Sequence, residues 1–224
     1  MPAINLGSSA KTRYSTLVGI CDAVLLHMLP EDDDAEQRMW ARAFFTYLMW
    51  WEGGSATTRT QYSGGPGRGL MQFEPATIRD LYNHYANVVN RQEHFIDTVG
   101  WALSADSAAA ANAFEAFLKS TRPLSNRWPT TNSKAAPVQA WLLNDDTFGI
   151  ALMYLQLTRG TAKKIPPRLQ SELSKSPYGE SYKTQHAEFW ARYWKRSFSS
   201  PKERKKQISN FTARATEADL LGSF

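Results

Sequence analysis

The sequence contains very little cysteine, since Cys21 is the only one among 224 residues. A single cysteine cannot form a disulfide within the chain. Its place in an apolar helical pattern indicates a core thiol rather than a nucleophile. The four histidines are scattered, without the paired spacing of a metal site such as HExxH. No metal and no cofactor are therefore expected.

Long hydrophobic runs are also missing. No stretch approaches the roughly 20 uninterrupted apolar residues that cross a membrane. The best N-terminal run, from Leu17 to Leu29, contains Asp22 and His27. No small-residue cleavage site follows that run, so we expect neither a signal peptide nor a membrane span. The sequence predicts a protein that is made in the cytoplasm and does not use a secretory signal.

Charge of one sign is not in large excess. The chain has 26 Lys and Arg against 21 Asp and Glu, which gives a formal net charge of +5 and a pI near 9.3. This mild positive balance fits nucleic acid, acidic lipid and the anionic bacterial cell wall alike. Net charge therefore excludes none of these partners and selects none of them.

What the sequence does contain is helical periodicity along much of its length. A chain of this size forms one sizeable domain, or one domain with a small annex. Apolar residues at i, i+3 and i+4 predict helices that end at Pro30, span 38–52, begin at Pro75 and are capped by Asp145 or Asp146. We predict a mainly α fold.

The C-terminal part carries a strongly aromatic helix. Its aromatic residues at helical spacing are interpreted mainly as a core stripe, although the surrounding Arg and Lys would also suit a nucleic acid or a glycan. They are Phe189, Trp190, Tyr193, Trp194 and Phe198. We predict a main domain over 1–165 and a helical extension over 166–224 packed on it.

Glu52 is the leading candidate for a catalytic residue. It lies four residues after Leu48, at the edge of the apolar face of the helix over 38–52. A carboxylate that loses hydration there would have a raised pKa and could act as a general acid near neutral pH. The alternative is a glutamate at a frayed helix end that faces water.

The segment Ser63–Thr77, SGGPGRGLMQFEPAT, follows Glu52 after a polar loop. It resembles the second motif of the soluble lytic transglycosylases and goose-type lysozymes. That motif has a catalytic glutamate at a helix end, a Ser-containing turn, Gly-Leu-Met-Gln, an apolar residue, a variable residue, Pro, and Thr after one more. Residues 69–77 match every defined position, and the resemblance is specific over 52–77.

This resemblance implies a lysozyme-like domain with a Gly-rich irregular loop or small hairpin after the catalytic helix. It also implies that Glu52 acts first as an acid and then as a base. The Gln72 side chain and the Met71 backbone would help to bind an N-acetyl sugar. The expected substrate-binding residues are Tyr62, Ser63, Gly69, Leu70, Met71, Gln72 and Tyr154.

Some positions depart from the family pattern. Gly69 lies 17 positions after Glu52, slightly more than the family shows, and Gly53 replaces the usual Ser. The downstream Ala-Tyr-Asn motif is missing, and Tyr154 is the nearest candidate for its tyrosine. The stretch from Gly53 to Gln72 contains no Asp or Glu, which favours a single-acid mechanism over a pair of carboxylates.

The expected function is cleavage of the MurNAc-GlcNAc β-1,4 bond of peptidoglycan by a lytic-transglycosylase or lysozyme-like mechanism. A wall enzyme without an export signal suggests a bacteriophage protein, carried in the virion with other virion proteins or released through a holin to act on the wall. Peptidoglycan strands are the expected partner, and nucleic acid is not expected.

Two alternatives stay open. One is a virion structural or wall-binding protein that keeps a lysozyme-like fold without turnover, which the replaced Ser and the missing Ala-Tyr-Asn motif would support. The other is a basic nucleic-acid-binding protein, which rests only on the pI and the aromatic-basic helix.

Overall fold

The computed structural model describes residues 4–30, 35–60, 67–86, 97–102, 140–158, 180–195 and 198–222. The chain forms two compact units that alternate along the sequence. The first unit comprises Met1–Ile4 and Thr58–Ala162, and the second comprises Asn5–Thr57 and Lys163–Phe224. The predicted domain boundary between residues 165 and 166 lies outside the described residues and stays a prediction.

The predicted mainly α architecture is confirmed. The named helices are α1 (Ala10–Met28), α2 (Ala35–Glu52), α3 (Pro75–Ala86), α4 (Asp146–Leu157), α5 (Glu180–Phe189) and α6 (Pro201–Gly222). A π-helical segment, Trp190–Lys195, directly follows α5. The described part of the chain contains isolated β-bridges but no strand. None of its helices is both long enough and apolar enough to cross a membrane.

The second unit is built from α1, α2, α5 and α6. Helix α6 packs against α1, α2 and α5, and α1 packs against α2. The apolar stripe of α1 is buried as its spacing predicts, and Cys21 is a buried free thiol. Two polar contacts tie α6 in place, since Tyr47 donates to Asp219 at 2.5 Å and Lys183 pairs with Asp219 at 3.0 Å.

The first unit contains α3 and α4. Helix α3 begins at the predicted Pro75, and Asp145 caps α4 by accepting a hydrogen bond from the Phe148 backbone N–H at 2.9 Å. The two helices are joined where the Tyr85 hydroxyl donates to the Leu155 carbonyl at 2.9 Å. These helix starts confirm the sequence prediction.

An ion pair between Arg59 and Asp146 also lies in the first unit. Asp146, at the first position of α4, is 1% exposed and accepts from Arg59 Nη2 at 2.6 Å and from Arg59 Nε at 3.2 Å. Its Oδ2 also accepts the Ile4 backbone N–H at 2.7 Å, while Arg59 donates to the Ile4 carbonyl at 2.8 Å. One buried pair therefore fixes both polar groups of the Ile4 main chain.

The segment after α2 contains two isolated antiparallel bridges, Thr60 with Arg68 and Arg68 with Phe73. The Arg68 and Phe73 main chains exchange two hydrogen bonds of 3.0 and 2.9 Å. Residues 61–66 lie outside the described residues. The expected Gly-rich loop or small hairpin after the catalytic helix therefore stays a prediction.

Candidate active site

Glu52 is the last residue of α2, where the chain leaves the helix in a defined C-terminal motif. The Ser55 N–H donates to the Trp50 carbonyl at 2.7 Å, and the Gly54 N–H donates to the Trp51 carbonyl at 3.3 Å. This pair of bonds is the Schellman arrangement, which needs a residue with positive φ after the helix. Gly54 supplies that residue with φ of 55°. The end of α2 is therefore a well-defined C-cap and not a frayed turn.

The turn continues in an unusual conformation after Gly54. Ser55 and Ala56 have φ of 61° and 54°, which non-glycine residues seldom adopt. Arg13 of α1 donates to the Ser55 carbonyl at 3.2 Å, and Arg214 of α6 donates to its hydroxyl at 3.2 Å. Such strain persists where the surroundings fix it, and it is frequent near active sites. Two helices thus fix the turn that follows Glu52.

The Glu52 side chain is half-buried within the second unit. Its Oε1 accepts a hydrogen bond from Trp190 Nε1 at 3.0 Å. Burial raises the pKa of Glu52 above its ordinary value of 4.5, while the Trp190 hydrogen bond and the charge of Lys195 partly oppose that rise. The negative end of the α2 dipole also disfavours the ionised form. The sequence argument predicts the same direction for this pKa.

Aromatic rings surround the hydrogen bond to Glu52. Trp190 is 1% exposed and stacks on Phe211 of α6, with centroids 5.2 Å apart and planes 27° apart. Trp51 and Phe198 meet it edge-on at 5.6 and 6.1 Å. Sequence reasoning assigned Trp190 to the core stripe and missed its hydrogen bond to Glu52. Helical spacing predicts which face is buried, but not which polar atom the indole meets.

Residues Gly69 to Gln72 form a tight turn in the first unit. Gly69 has φ of 73° and Gln72 has φ of 54°. The Gly69 carbonyl accepts from the Gln72 backbone N–H at 3.1 Å and from Gln72 Nε2 at 2.8 Å. The Gly69 N–H donates to the Arg59 carbonyl at 2.9 Å. The predicted motif therefore folds into one closed turn, in which the non-glycine residue Gln72 holds a strained φ.

The side chain of Gln72 is left with one unused acceptor. Its Nε2 is bound to Gly69, but its Oε1 is buried and makes no hydrogen bond within the described part of the chain. Buried polar atoms are nearly always paired with protein, water or ligand. This carbonyl oxygen is therefore available to a donor other than the described residues.

Leu70 and Met71 point into the interior of the first unit, with exposed fractions of 0% and 1%. The Met71 methyl group fills the space beside Gly149 of α4. These side chains hold the turn against the helix. Any contact of these two residues with a sugar would therefore use the main chain.

The other predicted site residues are either buried in α4 or outside the described part of the chain. Tyr154 is fully buried in α4, in the first unit with Gly69 and Gln72. Its burial agrees with the core-packing interpretation, and its contact with substrate stays a prediction. Tyr62 and Ser63 lie outside the described residues. Glu52 belongs to the second unit.

Gly69→Ala should destabilise the turn. An added Cβ would lie 3.0 Å from the Leu142 carbonyl oxygen, and φ of 73° is unfavourable for alanine. We expect a loss of about 1–2 kcal/mol in the free energy of unfolding, measured by urea denaturation. Gly19→Ala is the matched control, because nothing lies within 4 Å of its added Cβ. Equal stability of the two variants would contradict the strain assigned to this turn.

Comparison with known proteins adds no relative, since no family model, no curated protein and no solved structure matches the chain.

Proposed function

We propose that the protein cleaves the MurNAc-GlcNAc β-1,4 bond of peptidoglycan, with Glu52 as its single catalytic acid. The observation that carries this proposal is the state of Glu52, a half-buried carboxyl with a raised pKa. A general acid works best when its pKa is near the working pH, and such proton transfer contributes about 10² to 10⁴ in rate. A surface glutamate at pH 7 would be ionised and unable to serve.

One carboxyl can perform both proton transfers of this reaction. Protonated Glu52 gives its proton to the glycosidic oxygen as the bond from C1 of MurNAc breaks and the electron pair leaves with that oxygen. The resulting carboxylate then accepts a proton from the attacking group as the new C1–O bond forms. The C6 hydroxyl of the same sugar gives a 1,6-anhydro end, and water gives a reducing end.

The turn from Gly69 to Gln72 supports the substrate class. Gln72 Oε1, which has no hydrogen-bond partner among the described residues, suits the N–H of an N-acetyl group, because an amide oxygen accepts from such a donor. Binding the substrate would remove the cost of leaving a buried oxygen unpaired. The cellular setting that accompanies this proposal is a phage-encoded enzyme of the virion or of lysis, as the sequence analysis expects.

Digestion of purified sacculi tests the proposal. We expect soluble muropeptides, and mass spectrometry of their ends will identify the attacking group. Anhydro ends indicate intramolecular attack, and reducing ends indicate water. Protein that binds sacculi but releases no muropeptide would instead support the non-catalytic wall-binding alternative.

A further inference from the structure

We propose that Trp190 is a positioning residue, whose indole N–H holds Oε1 of Glu52 and so assigns the carboxyl proton to Oε2. This inference rests on the proposed function for its catalytic meaning. It stands on the hydrogen bond of 3.0 Å between Trp190 Nε1 and Glu52 Oε1 and on the packing of the indole.

The donor is chemically unambiguous. An indole N–H can only donate, so the oxygen that it contacts must act as an acceptor. In a protonated carboxyl the better acceptor is the carbonyl oxygen, which here is Oε1. The hydroxyl is therefore Oε2. This oxygen would give its proton to the glycosidic oxygen and later take a proton from the attacking hydroxyl or water.

The orientation of the indole is set before any substrate arrives. Phe211 stacks on its face, while Trp51 and Phe198 make edge contacts with it. Aromatic pairs of this kind each stabilise by about 0.5–1.5 kcal/mol beyond their burial. These three neighbours fix the orientation of the indole, so that its N–H points toward Glu52.

The backbone of Trp190 also has an unusual setting. Trp190 is the first residue of the π-helical segment that ends at Lys195. π-helical turns are rare in proteins, and those that occur are often found at functional sites. His186, four residues earlier on the same face of α5, stacks on Phe44 of α2 at 5.8 Å. The chain thus meets α2 at His186 of α5 and again at Trp190, where the π-helical segment begins.

Few charges of the described residues face Glu52 from the elements packed around it. Lys195, in the π-helical segment, favours the ionised form. Arg13 of α1 and Arg214 of α6 approach the neighbouring turn, where both donate to Ser55, and they also donate to Ser8 and Glu217 respectively. A neutral donor suits this place, because it fixes one oxygen without adding a positive charge that would hold the carboxyl ionised at neutral pH.

The test measures the proton on Glu52 directly. We would label the glutamate carboxyl carbons with ¹³C, assign the Glu52 signal with Glu52→Gln, and titrate the full chain by NMR. In Trp190→Phe the hydrogen bond to the ionised form is lost, so the pKa of Glu52 should rise further. Replacing Trp190 by benzothienylalanine, in which sulfur takes the place of N–H, should give the same shift without shrinking the ring system.

Trp50→Phe is the matched control. Trp50 lies in α2, is fully buried, and its Nε1 makes no hydrogen bond within the described ranges. The same substitution there should leave the pKa of Glu52 unchanged. In infrared difference spectra, the carbonyl stretch of protonated Glu52 should move to higher frequency in the Trp190 variants only, because Oε1 loses its donor.

The pH dependence of activity should shift in the same direction as the pKa of Glu52. The reaction needs protonated Glu52, so activity is lost as pH rises through its pKa, and Trp190→Phe should move this alkaline limb to higher pH. We also expect kcat to fall roughly tenfold with KM unchanged.

Unchanged NMR and infrared signals in both Trp190 variants would overturn the positioning role, whatever their activity. If the wild-type chain never cleaves wall, but the Trp190 variants show the spectroscopic shifts, the proposed function is overturned and the Trp190 assignment stays intact.

Discussion

Replacing Glu52 by glutamine should reduce cleavage of purified wall by about 10²- to 10⁴-fold. The amide keeps the size of the side chain and an oxygen that can accept from Trp190 Nε1, which is now 3.0 Å from Oε1. It has no acidic proton to donate. The rate of muropeptide release, followed by mass spectrometry, measures the loss.

Glu188→Gln is the matched control for Glu52→Gln. Glu188 is an exposed glutamate of α5 that pairs with Arg204 at the surface, so its replacement should leave the cleavage rate unchanged. Full activity in Glu52→Gln would contradict the assignment of the acid. Equal losses in the two variants would show that the effect is not specific to Glu52.

Glu52→Gln should also change the way in which stability depends on pH. Burial raises the pKa of Glu52 above 4.5 in the folded protein, so the folded state holds this proton more tightly than the unfolded state. Wild-type stability should therefore fall relative to Glu52→Gln as pH rises from about 4.5 through the raised pKa. Denaturation at a series of pH values measures this difference, and a difference of the opposite sign would contradict the burial of the carboxyl.

Asp146→Ala should destabilise the fold strongly, by about 3–5 kcal/mol in the free energy of unfolding. It leaves the Arg59 guanidinium, which is 11% exposed, without the carboxylate that now lies 2.6 Å away. It also removes the acceptor of the Ile4 N–H. Urea denaturation followed by circular dichroism measures the loss.

Asp22→Ala is the control for Asp146→Ala. Asp22 pairs with Arg42 at 3.4 Å, and both side chains are largely exposed, so the expected loss is about 0–1 kcal/mol. Adding Arg59→Met to a chain with Asp146→Leu should restore part of the stability lost in Asp146→Ala, since no uncompensated charge is then left buried. If Asp22→Ala and Asp146→Ala cost the same, the buried pair does not have the role assigned to it.

The sequence predicts the helices well where the signals are local. Pro75 and Asp145 begin helices as expected, because a fixed φ and a capping carboxylate act on neighbouring residues. The end of α2 at Glu52 is also predicted, since Gly54 can take the positive φ that ends a helix. These helix starts and ends depend on a few consecutive residues.

The surroundings of the acid depend on distant residues and could not be predicted in the same way. Trp190 and Glu52 are 138 positions apart, and Arg59 and Asp146 are 87 apart. Periodicity identifies a buried face, but it does not say which element covers that face. The positive φ of Ser55 also depends on arginines from two other helices, so no local rule would assign it.

The late position of Trp190 in the chain has a consequence during synthesis. Glu52 leaves the ribosome long before the indole that binds it, and Phe211, which stacks on that indole, comes later still. A nascent chain that stops before residue 190 lacks the indole N–H that binds Glu52 Oε1. The surroundings of Glu52 are thus complete only once Trp190 and Phe211 have been made and have packed against the end of α2.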